Sequence, residues 1–272
     1  MRFFDRERQR SVELRKPQPS ALPTMPSVNA GAAYRSARVG GDFFDFVQLD
    51  GTRLLFGMLD IAGRREEAMH LAAEVQTVMR EHALKLLAPG TNLHEGLTQL
   101  ALAVNRGIIN AAKGVHNSPG FLACFDEELG TLAYINAGHT PALLSDQDGV
   151  SELAAAGVPF GLFSHAVHDA QVSVLRPGAT LLIVSKGLTE ARSGTKEFGF
   201  ERVKQFLGSR IFRDAEAVCN DLLREVESFK NSASFWGPQV VIPGFAGSEP
   251  TDITAVAIMR PGVGMHISAK AG

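Results

Sequence analysis

Acidic residues stand at the ends of apolar, strand-like runs in distant parts of this chain. Asp42 and Asp45 lie in one such cluster, Asp60 ends a second run, and Asp252 opens the last one. Carboxylate oxygens gathered from strand ends are the ligands that hard divalent cations such as Mg²⁺ and Mn²⁺ require. Lys186 ends a further run, where this chemistry would want a carboxylate. Whether the protein is an enzyme therefore depends on Lys186.

The composition is that of an ordinary globular protein with little net charge. Of its 272 residues, 45% are hydrophobic and 21% are charged, and the formal net charge is -2. So small a charge gives no reason to expect nucleic acid as the main partner. Cys124 and Cys219 lack a metal-binding spacing and are too few for a disulfide framework, so we expect two reduced thiols.

The N-terminal segment does not resemble a secretory signal, because the charged stretch of residues 1–10 contains no apolar core. No apolar run is long enough to span a bilayer. We therefore expect a cytoplasmic protein without a membrane span.

The chain divides into three parts by composition. Residues 1–27 are charged and then proline-rich, and we interpret them as an arm or linker, either disordered or packed on the domain. Residues 28–260 form the predicted domain, and the glycine-containing residues 261–272 form a flexible tail. The polar loop at 231–250 carries the chain's one tryptophan and is interpreted as a lid, as a partner contact or as a packed irregular loop.

Hydrophobic periodicity predicts strands and helix pairs in alternating blocks. A hairpin is predicted around Asp50-Gly51, and two long amphipathic helices follow it. Short strands return, then another helix pair, then a final β-branched strand. The predicted strands are 42–49, 53–60, 120–125, 131–136, 141–144, 171–175, 180–185 and 253–259, and the predicted helices are 66–87, 92–113, 200–207 and 214–229. This order favours an α+β fold with largely antiparallel sheets.

The order of short motifs resembles that of the PPM-type, metal-dependent serine/threonine phosphatases, in their SpoIIE-like bacterial branch. The resemblance covers about residues 28–260. It is carried by Arg38–Asp45 (R-x-G-G-D-F-Y-D in the family), Asp60–Gly63 (D-V-S-G), Tyr134–Leu144 (Y-x-N-A-G-H-N-P-P-L-L), Val158–Leu162, Leu181–Arg192 (L-L-L-Y-T-D-G-L-T-E-A-R), Phe198-Gly199 and Thr251–Thr254 (D-D-I-T).

The resemblance implies a four-layer α-β-β-α sandwich of two antiparallel sheets flanked by helix pairs. It also implies two Mn²⁺ or Mg²⁺ ions holding a hydroxide that attacks a phosphoserine or phosphothreonine. By the resemblance, the carboxylate of Asp60 would bridge both ions and the carbonyl of Ile61 would bind the first. Asp42 would hold water molecules of the first ion and would be catalytic with Asp60, and Asp45 would lie nearby.

The sequence departs from the family pattern at the second ion. Lys186 and Thr251 stand where the family has aspartates. Asp252 follows directly and is an alternative ligand, although adjacent strand residues face opposite ways. Arg64 and Arg65 replace the family's His-Gly and are interpreted as a phosphate-binding pair.

A lysine opposes a second divalent ion strongly. Its ammonium offers only hydrogen-bond donors, and at about 4 Å it opposes a divalent ion by roughly 2 kcal/mol in water and roughly 8 kcal/mol at an effective dielectric of 20. The simplest hypothesis is that the ammonium of Lys186 takes the place of the ion and pairs with Asp60. We expect at most one Mn²⁺ or Mg²⁺ site, so the expected number of sites is one or zero.

Two functions follow from the resemblance. In the first, the chain is a pseudophosphatase or weakly active regulator that binds a phosphoprotein, such as an anti-sigma-factor antagonist in a partner-switching system. In the second, it is an active phosphatase that acts on such a protein with one metal or an unusual ligand set. A homodimer is compatible with either function.

Overall fold

Two five-stranded antiparallel sheets form the centre of the molecule. A computed structural model describes residues 15–36, 41–49, 52–232 and 251–262. The order of strands is β1-β12-β9-β6-β7 in the first sheet and β2-β3-β4-β5-β8 in the second, and β10 and β11 form a small hairpin. The strands are β1 Asn29–Arg35, β2 Asp42–Gln48, β3 Arg53–Asp60, β4 Gly120–Asp126, β5 Thr131–Ala137, β6 Ala142–Asp146, β7 Gly149–Leu153, β8 Gln171–Val174, β9 Thr180–Val184, β10 Arg192–Ser193, β11 Lys196–Glu197 and β12 Ile253–Met259.

Helix pairs cover the outer face of each sheet, which confirms the predicted α-β-β-α sandwich. The helices are α1 Arg65–Leu86, α2 Leu93–Ala112, α3 Lys186–Thr189, α4 Phe200–Gly208 and α5 Ala215–Ser232. The pair α1 and α2 packs on the second sheet through one apolar cluster, and α4 and α5 pack on the first sheet through another. A third cluster, which includes Phe56, Phe121, Ile183 and Val256, fills the space between the sheets.

The core separates according to the alternation of side chains along each strand. In β3, Leu55 and Leu59 face the α1–α2 pair, whereas Leu54, Phe56 and Met58 face the other sheet. Because both faces are covered, every residue from 53 to 59 is buried. The same pleat decides which acidic side chains can meet at the end of the sandwich.

Residues 15–24 of the N-terminal arm lie along β2 and α1. The backbone N–H of Gln18 donates to the side chain of Gln76 at 2.7 Å, and the Gln76 amide donates back to the Gln18 carbonyl at 3.0 Å. Ser20 Oγ donates to Asp45 at 2.7 Å and accepts from the N–H of Phe46 at 3.1 Å. The described part of the arm is therefore packed on the domain, as in the second of the two interpretations, and residues 1–14 lie outside the described residues.

Several predicted features fall outside the described residues, and no described helix could cross a bilayer. The turn at 50–51, the first three residues of the Arg38–Asp45 motif, the loop at 233–250 and the tail at 263–272 are not described. Within the described ranges, no helix combines the length and the apolar character that crossing a membrane requires.

Candidate metal and phosphate site

Asp42 and Asp60 meet at one end of the sandwich. Asp42 begins β2, Asp60 ends β3, and the two residues are direct partners in the antiparallel ladder. Partners in such a ladder lie on the same face of the sheet, and here that face points toward the first sheet. The hydroxyl of Thr254, from β12 of that sheet, donates to Asp42 Oδ2 at 2.5 Å.

A close approach of backbones holds this end together. A Cβ atom at position 41 would lie 2.1 Å from the carbonyl oxygen of Ile61. Only glycine fits such a contact, and the N–H of Ile61 donates to the Gly41 carbonyl at 3.1 Å. The glycine of the first motif therefore places Asp42 beside the Asp60-Ile61 segment.

The carboxyl of Asp42 sits in an environment that disfavours its charge. The pKa of Asp42 is raised from 3.8 to about 7: burial is the largest cause and the charges of Asp60 and Asp252 add to it, whereas hydrogen bonds from Thr254 and Ser185 oppose it. The pKa of Asp60 is also raised, chiefly by burial, and the charge of Lys186 is the one that lowers it. Both carboxyl groups thus favour their neutral forms, and a nearby cation would favour the ionised ones.

Lys186 begins α3, close enough for its charge to act on Asp60, but its ion pair is with another residue. Its ammonium lies 3.4 Å from Glu190 Oε1, in an exposed pair within one helical turn, and 66% of the Lys186 side chain is accessible. The structure corrects the expected ion pair of Lys186 with Asp60: the bonded partner is Glu190, and Lys186 acts on Asp60 through its charge.

Thr251 and Asp252 point in different directions, as adjacent residues of an extended chain must. A Cβ at Gly187 would lie 2.6 Å from Thr251 Oγ1, so Thr251 lies beside the Lys186 turn and is exposed. Asp252 is buried and accepts a hydrogen bond from the hydroxyl of Tyr34 at 2.8 Å. The two substituted positions, 186 and 251, therefore lie together.

Asp45 does not belong to the acidic cluster, which corrects its proposed place among the metal ligands. It is three residues from Asp42 and so faces the opposite side of β2, toward α1. Its carboxylate is fully buried and accepts two hydrogen bonds from Arg80, at 2.9 and 3.0 Å, and one from Ser20. With both oxygens engaged, Asp45 joins the arm, β2 and α1.

The two arginines of the expected phosphate pair occupy different settings. Arg64 precedes α1 and is exposed, whereas Arg65 is the first residue of the helix and donates to Ser36 Oγ at 3.1 Å. Arg65 also lines a pocket of about 240 Å³ beside Asp42 and Asp252. The other lining residues are Pro17, Gln18, Ser20, Tyr34, Gly41, Phe43, Phe44, Ala68, Met69 and Ala72.

The described residues do not assemble the ligand set of a two-metal centre. Within them, no three side chains of histidine, cysteine, aspartate or glutamate come close enough together to hold a metal ion. Asp42 and Asp60 lie side by side in the ladder, and Lys186 and Thr251 are the residues at the two substituted positions. The residues fit two metal ions poorly, because one carboxylate position carries a cation.

Sequence reasoning missed two hydrogen-bond donors to the acidic cluster, Tyr34 and Thr254. The Thr254 contact joins the two sheets, whereas the Tyr34 contact with Asp252 lies within the first sheet, where β1 and β12 are neighbours. Thr254 is two residues after Asp252, so the alternation of side chains in a strand puts both on one face. That spacing could have placed Thr254 next to the acidic cluster. Tyr34 lies in β1, which the sequence analysis did not predict.

Comparisons with known proteins point to one family. A family model described as Stage II sporulation protein E (SpoIIE) matches residues 50–234. Among curated proteins, IcfG of Synechocystis sp. is 24% identical in an alignment of 229 positions, which covers 76% of this chain and 36% of that protein. The chain thus spans about a third of this relative's length.

Solved structures of similar fold include several phosphatase domains. The RsbU and RsbW domains of Rv1364c from Mycobacterium tuberculosis match with a TM-score of 0.66 and 23% identity, over 88% of this chain and 63% of that one. The PP2C phosphatase domain of SpoIIE from Bacillus subtilis matches with a TM-score of 0.64 and 18% identity, over 87% and 64%. The catalytic domain of the phosphatase PstP, in complex with two manganese ions, matches with a TM-score of 0.58 and 13% identity, over 85% and 98%. At these identities the likeness shows the fold.

Proposed function

Since the chain belongs to the SpoIIE family of PPM-type phosphatase domains, we propose that it is a pseudophosphatase or weakly active regulator that binds a phosphoprotein. The observation that carries this proposal is the pairing of substitutions at 186 and 251. Both positions would supply carboxylates to the second ion, and both lie side by side around Gly187. A lysine and a threonine there remove two of the carboxylates that would hold that ion.

The charge of Lys186 works on the same carboxylate that an ion would need. It favours the ionised form of Asp60, as a metal ion would, although its bonded partner is Glu190. A tethered cation of this kind supports the fold at the end of the sandwich without supplying an activated water. Binding of a partner would then be independent of divalent metal.

The rim next to the cluster suits a phosphate group held without being cleaved. Arg64 is exposed at the N-terminus of α1, and Arg65 follows on its first turn. Guanidinium groups bind phosphate oxygens with two parallel hydrogen bonds, and a helix N-terminus adds partial positive charge. In this family branch, the resemblance implies a small anti-sigma-factor antagonist as the phosphoprotein.

Turnover and metal stoichiometry test the proposal together. The full chain is incubated with a phosphoserine peptide in excess Mn²⁺ while phosphate release is followed, and Mn²⁺ binding is measured by calorimetry. We expect slow or undetectable release and at most one Mn²⁺ per chain. Release at the rate of an ordinary member of the family, or two bound ions, would end the proposal.

The phosphate-binding role is tested separately with the peptide as a ligand. Peptide affinity is measured without divalent metal for the wild type, for Arg64→Met with Arg65→Met, and for the control Arg106→Met. Arg106 is an exposed arginine of α2 and controls for the loss of an exposed arginine away from the site. We expect the double variant alone to lose affinity for the phosphorylated peptide, with no loss for the unphosphorylated one.

A second candidate function, an active metal-dependent phosphatase, is favoured by the position of Asp252. This residue is buried, and its charge acts on both Asp42 and Asp60. Asp252 would serve as the additional carboxylate if Tyr34 released it. Substitution of Asp252 by Asn distinguishes the two functions: an enzyme that uses Asp252 loses Mn²⁺-dependent phosphate release, whereas a pseudophosphatase has none to lose.

A further inference from the structure

The two substituted positions change the hydrogen-bonding character of the site in the same direction. An ionised carboxylate offers only acceptors, whereas the ammonium of Lys186 and the hydroxyl of Thr251 offer donors. Both side chains are exposed and lie around Gly187, because a Cβ atom at that glycine would be 2.6 Å from Thr251 Oγ1. Two positions that the family resemblance assigns to a cation therefore carry groups that suit an anion.

The ammonium of Lys186 is available to a ligand. Its ion-pair partner among the described residues is Glu190, 3.4 Å away, and both side chains of the pair are at least half accessible. Exposed pairs of this kind contribute little to stability, because water solvates each charge well. A ligand with more negative charge than a carboxylate can therefore displace Glu190. A phosphate monoester, with a charge of about −1.5 to −2 at pH 7, is such a ligand.

The surroundings of Asp60 receive a cation from the side of each sheet. Lys186 follows β9 of the first sheet, and its charge acts on Asp60 at the end of β3 in the second sheet. Exposed Arg64 follows Asp60 by four residues, just before α1, which packs on the second sheet. A phosphate group at this end of the sandwich therefore has an ammonium as well as a guanidinium within its surroundings.

We infer that Lys186 and Thr251 are contacts for the phosphate of a phosphorylated protein, which they bind directly and without a metal ion. The inference rests on the proposed function and extends it, because it adds the two substituted positions to the phosphate contacts of Arg64 and Arg65. The ammonium binds the phosphate by charge and hydrogen bonds, and the Thr251 hydroxyl donates to a further phosphate oxygen.

Nearby carboxylates oppose the phosphate, and this makes the assignment testable. Glu190 competes for the ammonium of Lys186, and the charge of Asp60 repels a dianion. We therefore expect a modest affinity, which rises when the charge of Glu190 is removed. If Lys186 only supported the fold, removal of the Glu190 charge would leave phosphate binding unchanged.

Calorimetric titration of the full chain with a phosphoserine peptide, in the presence of EDTA, tests the inference. We expect Lys186→Met to weaken binding by about tenfold or more, and Thr251→Val by about threefold, because the hydroxyl carries no charge. Glu190→Gln should strengthen binding by about threefold. Lys204→Met and Glu152→Gln are the matched controls. They break a lysine–glutamate pair of 2.7 Å between α4 and the far edge of the first sheet, and neither should change the affinity.

Inorganic phosphate is the second probe, because a free phosphate would use the same contacts as one attached to a protein. We expect the phosphoserine peptide to bind at least about tenfold more tightly than inorganic phosphate, since the peptide adds contacts around the phosphate. Equal affinities would overturn the assignment to a phosphorylated protein.

The results separate this inference from the proposed function, once circular dichroism has shown that each variant folds. Loss of affinity in Lys186→Met together with a gain in Glu190→Gln supports the inference. If only Arg64→Met with Arg65→Met loses affinity, the inference is overturned and the proposed function stands. A wild type that does not bind the peptide in EDTA also overturns the inference. The proposed function is overturned by a different result, phosphate release in Mn²⁺ at the rate of an ordinary family member.

Discussion

The site has two halves that differ in both chemistry and exposure. One half comes from the β2–β3 hairpin, and the other comes from the turns before α3 and β12. Asp42 and Asp60 are fixed by strand register and a close backbone contact. Lys186 is two-thirds exposed, and Thr251 is exposed beside it. By the family resemblance, the first half keeps the expected carboxylates and the second half carries a lysine and a threonine in their place. The positions fixed by strand register and backbone packing thus carry the carboxylates, whereas the positions at the accessible rim carry the substitutions.

The largest expected effect comes from restoring the second half. Lys186→Asp combined with Thr251→Asp removes an ammonium and adds two carboxylates next to Asp60. Because the ammonium opposes a divalent ion by roughly 2 to 8 kcal/mol, we expect the affinity for Mn²⁺ to rise by about a hundredfold or more. Calorimetry measures the affinity and the number of ions bound.

A matched control separates loss of charge from gain of ligands. Lys186→Met combined with Thr251→Val removes the ammonium without adding a carboxylate, and we expect a smaller gain in Mn²⁺ affinity. If the aspartate variant binds Mn²⁺ no better than this control, the first half of the site is not competent and the comparison between the halves fails.

The next effect contrasts two aspartates of the same strand. Arg80→Met leaves the buried carboxylate of Asp45 without its guanidinium partner. The pair is buried on the Asp45 side only, since 37% of the Arg80 side chain is accessible. We therefore expect the free energy of unfolding, measured by urea denaturation, to fall by about 2 kcal/mol, less than the loss of roughly 3 kcal/mol or more for a fully buried pair. We also expect unchanged Mn²⁺ binding, because Asp45 faces away from Asp42.

An exposed ion pair provides the reference for that experiment. Arg192→Met removes the partner of Glu197 in a pair that is about half exposed on both sides. Such pairs contribute about 0 to 1 kcal/mol. A loss of stability in Arg80→Met no greater than in Arg192→Met would show that Asp45 is less isolated from water than its full burial implies.

Most strands and all long helices were predictable from the sequence, because their periodicity is strong. Helix α2, for example, was predicted at 92–113 and is found at Leu93–Ala112 with Asn92 as its N-cap. β1 was missed because its sequence, Asn-Ala-Gly-Ala-Ala-Tyr-Arg, is rich in small residues that do not favour strands. Those residues are small because α5 packs closely on β1: a Cβ at Gly31 would lie 2.5 Å from the backbone of Ala215.

The site was predictable where a motif fixes both residue and face, as at Asp42 and Asp60. It was not predictable where the partner depends on side-chain direction across the sandwich. Asp45 lies in the same motif as Asp42, yet the odd spacing puts it on the other face. The partner of Lys186 was also missed, because a flexible stem can reach either Asp60 or a residue one turn away, and only coordinates decide between them.

A smaller effect concerns the pH dependence of stability. Burial raises the pKa of Asp42 to about 7, so the folded state holds a proton that the unfolded state loses near its ordinary value of about 3.9. The stability of the wild type should therefore fall as pH rises from about 4 through about 7. Asp42→Asn cannot lose a proton, and we expect its stability relative to the wild type to rise by about 2.5 kcal/mol between pH 5 and pH 8. Urea unfolding from pH 5 to pH 8 without divalent ions measures this, and parallel curves for the two proteins would contradict it.

The smallest effect concerns one hydrogen bond between the two halves, from Thr254 to Asp42. Thr254→Val keeps the shape of the side chain but removes the donor to Asp42 Oδ2. This bond favours the ionised form of the carboxyl, so we expect the loss, about 1 kcal/mol, to be larger at pH 8 than at pH 5. Thr180→Val is the control, since Thr180 is buried in β9 between Ser145 and Met259, away from the acidic cluster. If both substitutions cost the same at both pH values, Thr254 contributes packing only, and the acidic half of the site is held by the hairpin without help from the other sheet.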